Sequence, residues 1–104
     1  MAQFDVYRNA NDATKRAVPY LLDLQSNLLA DLTTRVVVPL MHASRFKRRL
    51  QRLNPAFTIE GVHVVMSTAE LAAIHRRHLG ERVDSLEAAR AEIVAAFDMI
   101  IQGV

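Results

Sequence analysis

The run Arg35-Val-Val-Val-Pro39 most narrowly limits what this chain can fold into. Three β-branched residues in succession favour extended backbone, and a strand apolar on both faces has to be covered on both sides. It belongs at the centre of a sheet and ends at a proline. Before it, Val18, Tyr20, Leu22 and Leu24 alternate with Pro19, Leu21, Asp23 and Gln25, so one face is uniformly apolar and the other mixed. That alternation predicts a half-buried strand. The link between the two, Ser26 to Thr34, carries Leu28, Leu29 and Leu32. This is more apolar weight than a loop usually shows to water, so the leucines either dip into the core or meet a partner.

A chain of 104 residues with 51% hydrophobic content suffices for one domain with one core, spanning residues 1–104. With no cysteine, disulfides, thiolate metal sites and cysteine nucleophiles are excluded, and a reducing compartment is compatible. Met1 to Tyr7 alternates instead of forming a charged segment followed by an apolar one, and no apolar run approaches membrane-spanning length. The expectation is a soluble cytoplasmic protein without a membrane partner. Net charge is only +2, but the basic residues Arg45, Lys47, Arg48, Arg49 and Arg52 lie together, and no acidic residue falls between Arg35 and Glu60. A local acidic partner suits this better than bulk nucleic-acid binding.

Gln3 to Tyr7 places Phe4 and Val6 on one face and Gln3, Asp5 and Tyr7 on the other, a first strand near the terminus. Arg8 to Ala17 is polar and without apolar period, a mobile surface loop. From His42 to Asn54, Phe46, Leu50 and Leu53 are spaced for one or two helical turns, ended by Asn54-Pro55. Phe57 to Ile59, Glu60-Gly61 and Val62 to Met66 predict a hairpin that supplies strands four and five. Thr68 to Val83 favours a helix by propensity, through its alanines, leucines and a possible Thr68 cap. The last segment is helical: Asp84 and Glu87 have capping-box spacing, Leu86, Ala89, Ile93, Phe97 and Ile100 form an apolar stripe, and Gly103 suits a C-terminal cap. Val94, Met99 and Ile101 widen that stripe, which assigns Leu86 to Phe97 to the core and Ile101 to Val104 to an interface.

Catalytic constellations are hard to find. The glycines are isolated at Gly61, Gly80 and Gly103, so there is no phosphate loop or Gly-x-Ser-x-Gly turn, and the carboxylates are scattered. His75 and His78 supply at most two metal ligands beside Arg76 and Arg77, whose charge repels a cation, so surface histidines are the default. His42 and His63 have no acid or serine partner at a recognisable spacing. The basic run Arg45 to Arg52 reads first as a solvated loop, then as a dock for an acidic disordered partner, and last as a nucleic-acid surface, since it lacks interleaved aromatics. No cofactor and no metal is implied.

Taken in order, Gln3-Phe-Asp-Val-Tyr7, Leu24-Gln-Ser26 with Leu28-Leu29, Arg35-Val-Val-Val-Pro-Leu40, Met66-Ser-Thr68, Gly80-Glu-Arg-Val83 and the helix running into Gly103-Val104 resemble the CcdB family. The likeness covers nearly the whole chain; the ordered set, and no single piece, is specific. It implies an α+β, mostly β fold: an SH3-like barrel (CcdB/MazF-like) with a small added sheet and a C-terminal α-helix, assembled as a homodimer. For Thr68 to Val83 it implies a turn and a short extended run in place of a helix. Members of the family are non-enzymatic toxins of type II toxin–antitoxin modules, plasmid or chromosomal. They bind the A subunit of DNA gyrase, trap it with cleaved DNA, and are neutralised by a CcdA-like antitoxin with a disordered acidic tail.

The resemblance also implies site residues. The family's gyrase-binding tripeptide Trp-Gly-Ile corresponds to Gln102, Gly103 and Val104, preceded by Ile101, so the aromatic is replaced here. Losing such an interface anchor costs more than about 2 kcal/mol. Leu28, Leu29 and Asp98 match the partner-binding surface, and an acidic antitoxin tail would also meet Arg45 and Arg48. Direct sequence-specific nucleic-acid binding by the chain alone is not expected. Two rivals are a MazF-type mRNA interferase, which shares the barrel, and a degenerate homologue that binds antitoxin but no longer poisons gyrase.

Overall fold

The computed structural model describes residues 1–103. Among these, seven strands, β1 (Asp5–Asn9), β2 (Tyr20–Asp23), β3 (Thr34–His42), β4 (Ala56–Ile59), β5 (Val62–Met66), β6 (Ala72–His75) and β7 (Leu79–Ser85), precede one α-helix, α1 (Arg90–Gln102). All pairings are antiparallel, in the order β4-β5-β3-β2-β1-β7, with β6 branching from β3. The result is a mostly β fold whose sheet curls into a half-barrel, with the helix at the C-terminal end.

β3 is central, as its sequence predicts, but it does not end at Pro39: it runs on to His42 and serves two partners along one edge. Thr34 to Val37 pairs with β6, and Leu40 to His42 pairs with β5. Pro39 lies in the gap between them, opposite Leu21 on β2. Its carbonyl accepts from the Ser67 N–H on the gap side at 3.0 Å. The amide that proline lacks would point the same way, where no strand needs it.

Curling also explains why β2 departs from its expected half-burial. Tyr20 and Leu22 face the main core with Phe4, Val6, Val38, Leu40, Val64, Met66, Ile93 and Ala96. The opposite face, with Leu21 and Asp23, is buried as well, beside Asp5, Tyr7, Arg35 and Val37. The β6 branch on β3 and the turn before β7 reach this second face, where Ile74 and His78 meet Leu21 and Pro39.

The β4–β5 hairpin forms where its sequence predicts. Glu60 and Gly61 both have positive φ, 50° and 78°, the two-residue turn whose twist matches the strands. Glu60 also latches the hairpin tip to the rest of the sheet: the Arg8 guanidinium lies 2.7 Å from its carboxylate and the Tyr20 hydroxyl donates to it at 2.8 Å. Arg8 and Tyr20 together hold Glu60 below the usual carboxylate range.

Residues 68–85 follow the extended expectation and not their helix propensity. β6 finds backbone partners on β3 and β7 on β1, and tertiary pairing outweighs preferences of a few tenths of a kcal/mol per residue. A Cβ on Gly80 would stand 2.7 Å from the Arg8 carbonyl oxygen, so this strand crossing needs glycine. The long β7 consumes Asp84, which pairs with Val6, and the predicted capping box does not form. Asp84 instead accepts from the adjacent Ser85 N–H, and the Ser85 hydroxyl accepts from Glu87. A 3-10 turn at Glu87–Ala89 then leads into α1, which ends at Gly103 (φ 75°) as predicted, its N–H donating to the Met99 carbonyl.

The basic segment is less helical than its spacing suggests. A single 3-10 turn, Ala43–Arg45, is capped by the His42 ring, and the chain then folds over Asn54, whose amide donates to the Met66 carbonyl. The Thr68 hydroxyl donates to the Leu53 carbonyl beside it. Among the described residues, no helix is long and apolar enough to cross a membrane.

Candidate partner-binding surface

Leu28 is 94% exposed, yet it does not sit on a loose loop. Asn27–Leu29 is a 3-10 turn in which the Ser26 hydroxyl accepts from the Leu28 N–H. The Gln25 side chain ties the turn to the sheet, donating to the Leu29 carbonyl at 2.7 Å and accepting from the Val36 N–H at 3.0 Å. Gln25 is held in turn by Asp23, whose carboxylate accepts from its N–H at 2.9 Å. Asp23 receives Arg35 Nε at 3.1 Å and Nη2 at 2.6 Å, and both side chains of this ion pair have no solvent exposure. An apolar side chain is thus presented to solvent on a chain of bonds rooted in a buried ion pair. Of the two alternatives for the leucines, burial in the core is ruled out at Leu28, and Leu29 and Leu32 are half exposed.

Beside this turn, a groove of about 260 Å³ runs between α1 and the residues that flank the first two strands, Gln3 and Phe4 before β1 and Leu24 after β2. Leu24, Leu71, Val94 and Phe97 form its walls, Phe4 and Ile93 lie at its base, and Asp98 stands at its margin. Gln3 joins the groove to the leucine turn: its N–H donates to Asn27 Oδ1 at 2.9 Å and its amide to the Leu24 carbonyl at 2.9 Å. Its own amide oxygen accepts from Arg90, whose guanidinium covers the Phe4 ring at 4.7 Å. Phe4 is held at φ 69°, a strained position for a bulky residue, by bonds from its N–H to the Asp23 carbonyl and to its carbonyl from Leu86.

The helix continues this surface. Ile93 and Ala96 are buried and Phe97 partly so, as the core assignment expects, but Val94 is 44% exposed and leaves that set. Ile101, one and two turns beyond Asp98 and Val94 on the same side, is 79% exposed, and Gln102 and Gly103 are exposed after it. Val104 lies outside the described residues.

Of the expected partner-binding residues, Asp98 lines the groove, Leu28 and Leu29 lie on the turn bonded to it through Gln3 and Asn27, and Ile101, Gln102 and Gly103 continue the helix beyond Asp98. Arg45 and Arg48 are not part of it. Arg45 ends the 3-10 turn after β3, Arg48 follows in the basic bend, and both are exposed without an ion pair among the described residues. Sequence reasoning missed the Asp23–Arg35 pair. The signal was present, an arginine heading a run that must be covered on both faces, with an aspartate on the mixed face of the strand before it.

A family model described as CcdB protein matches residues 3–103. The chain belongs to the CcdB family. No curated protein matches this CcdB-family chain in sequence. Among solved structures it is similar to an endoribonuclease in complex with its cognate antitoxin from Mycobacterial species. The TM-score is 0.75 at 17% identity, over 97% of this chain and 94% of that one. At that identity the likeness establishes the shared fold, and the CcdB-like half-barrel with its C-terminal helix is what the two have in common.

Proposed function

We propose that this CcdB-family protein is the toxin of a type II toxin–antitoxin module that acts by contact, with no covalent chemistry of its own. The observation that carries the reading is Ile101: a large apolar side chain, 79% exposed, on the last turn of a helix whose exposed edge continues into an apolar groove. An exposed apolar strip of this kind marks a protein interface. Its target is the A subunit of DNA gyrase, met by Ile101, Gln102, Gly103 and Val104 at the paired helix ends of a homodimer. A CcdA-like antitoxin covers Leu28, Leu29 and Asp98, and its acidic tail reaches Arg45 and Arg48.

Gln102 stands where the resemblance implies a tryptophan, so gyrase trapping is the part of the reading most in need of a direct assay. Purified protein and a Gln102→Trp variant are compared for supercoiling inhibition and for cleaved DNA trapped on gyrase. Trapping by the natural protein supports the full reading. Trapping by the variant alone makes the natural protein a lapsed or retargeted member of the family.

A second reading, a MazF-type ribonuclease, is favoured by the shared fold of the endoribonuclease named above. It requires an acid–base pair on a basic groove. RNA cleavage by the purified protein, abolished by substitution of one basic residue, would establish it in place of gyrase trapping.

A further inference from the structure

A second cavity, of about 330 Å³, opens on the other face of β2 from the groove. Its floor is apolar, made by Leu21, Pro39 and Ile74, and its rim carries Asn11, Thr14 and His78. This volume sits at the lower end of the range of small-ligand sites, roughly 300–1,000 Å³, and suits one planar ring with its attachment. The rim is built, not loose. Asn9 is buried and donates from one amide nitrogen to Thr14 Oγ1 and to the Val18 carbonyl, both at 2.9 Å, while its oxygen accepts from the Asn11 N–H at 3.0 Å. Asn11 Oδ1 accepts from the Ala13 N–H, which leaves the Asn11 amide NH₂ directed to no partner among the described residues. The His78 ring likewise makes no hydrogen bond among them. Arg8 and Asn9, read from sequence as the start of a loop, belong to β1, and the turns that follow bring Asn11 and Thr14 to the cavity.

Charge distinguishes among possible occupants. Arg76 and Arg77 precede His78 in the same 3-10 turn, and both are exposed with no ion pair among the described residues. Arg16, exposed and also without an ion pair among them, lies two residues from Thr14 on the opposite wall. No carboxylate side chain lines the cavity among the described residues. An apolar amino-acid side chain would fill the floor but leave the rim donors and the basic turn unused. A ring with hydrogen-bonding edges on an anionic backbone uses all three.

We propose that this cavity takes one unstacked nucleobase of a single-stranded nucleic acid. The His78 imidazole lies against the base, the Asn11 amide meets its edge, and Arg76 and Arg77 meet the flanking phosphates. The site holds no acid–base pair and binds without cleaving. It stands independently of the gyrase reading, since it lies on the other face of the sheet from the groove and the helix end.

The test is fluorescence anisotropy with three labelled ten-nucleotide probes: mixed-sequence RNA, the same sequence as single-stranded DNA, and an abasic deoxyribose-phosphate strand of equal charge. Base-bearing probes are expected to bind at least fivefold tighter than the abasic strand. His78→Ala removes that advantage without changing abasic binding, whereas Arg76→Ala with Arg77→Ala weakens all three probes and flattens the salt dependence by about 1.4 in log–log slope. The ratio between RNA and DNA identifies the natural strand. All three substituted residues are exposed, so folding is preserved and is checked by urea midpoint. Equal affinity for the abasic strand overturns the proposal. So does an unchanged His78→Ala variant, or amide shifts on RNA addition that fall on residues 45–52 instead of Asn11, Leu21, Ile74 and His78.

Discussion

Replacing Arg35 by methionine tests whether the buried ion pair, and not apolar packing alone, holds the second face of the sheet together. Both members are fully buried, and Asp23 Oδ2 accepts two bonds from Arg35. Without the arginine, the Asp23 carboxylate keeps only the Gln25 N–H as a partner. Removing one member of such a pair costs about 3–5 kcal/mol because the remaining charge is stranded in a low-dielectric site. A chain of this size has a total stability of about 5–15 kcal/mol, so the variant stays folded but marginal. With a urea slope of about 2 kcal/mol per molar, the unfolding midpoint falls by about 2 M. The double variant Asp23→Leu, Arg35→Met leaves no stranded charge. It also eliminates Arg35 Nη1, a buried donor that has no partner among the described residues, while costing about 1 kcal/mol for the lost acceptor of the Gln25 N–H. The double variant should therefore be more stable than Arg35→Met alone. Urea unfolding of the two singles and the double closes the cycle. Losses that simply add, or an Arg35→Met cost below about 1 kcal/mol, would refute the reasoning.

Further outcomes follow from the other contacts. Glu60 is held below its ordinary pKa by the Arg8 and Tyr20 hydrogen bonds, so its contribution is present above the unfolded carboxylate value, ~4.3, and is lost as pH falls through the lower folded value. Urea unfolding from pH 6 to 2 should accordingly show a shallower acid decline in Glu60→Gln than in the natural protein, and the difference should shrink in high salt. Burial first, and then the Glu60 carboxylate, push Tyr20 up to about 12, and burial with Asp5 raises Tyr7. Spectrophotometric titration should detect less phenolate near pH 10 in the folded protein than after unfolding, with Tyr20 the later of the two to ionise. Gly103→Ala places a side chain at φ 75° with open space around it, so the cost, about 1 kcal/mol, is conformational and appears as faster amide exchange in the last helical turn.

Much of the architecture could be read from local pattern because local pattern determines it. The β-branched run of β3, the Glu60-Gly61 turn and the Gly103 cap each depend on neighbours in sequence. What escaped depends on residues far apart in the chain. Asp23 and Arg35 are unremarkable singly and become a buried pair only when β2 and β3 curl inward. Asp84 looked like a helix cap because nothing nearby shows that β1 will claim it as a strand residue. The same holds for the surface. Leu28 and Leu29 stood out by hydrophobicity, but the groove joining them to Asp98 exists because Gln3 bridges to Asn27 and Arg90, and the wall formed by Asn9 and His78 requires β1 and β7 to meet.

The forked edge of β3 bears on the order in which the protein assembles. The β4–β5 hairpin can form by itself, but neither it nor β6 has a place in the sheet until β3 has settled against β2, a pairing of strands adjacent in sequence. β1 and β7, by contrast, are drawn from opposite ends of the chain and close last. Substitutions along β2 and β3 should then slow refolding, whereas a change such as Gly80→Ala should leave refolding nearly untouched and shorten the lifetime of the folded state.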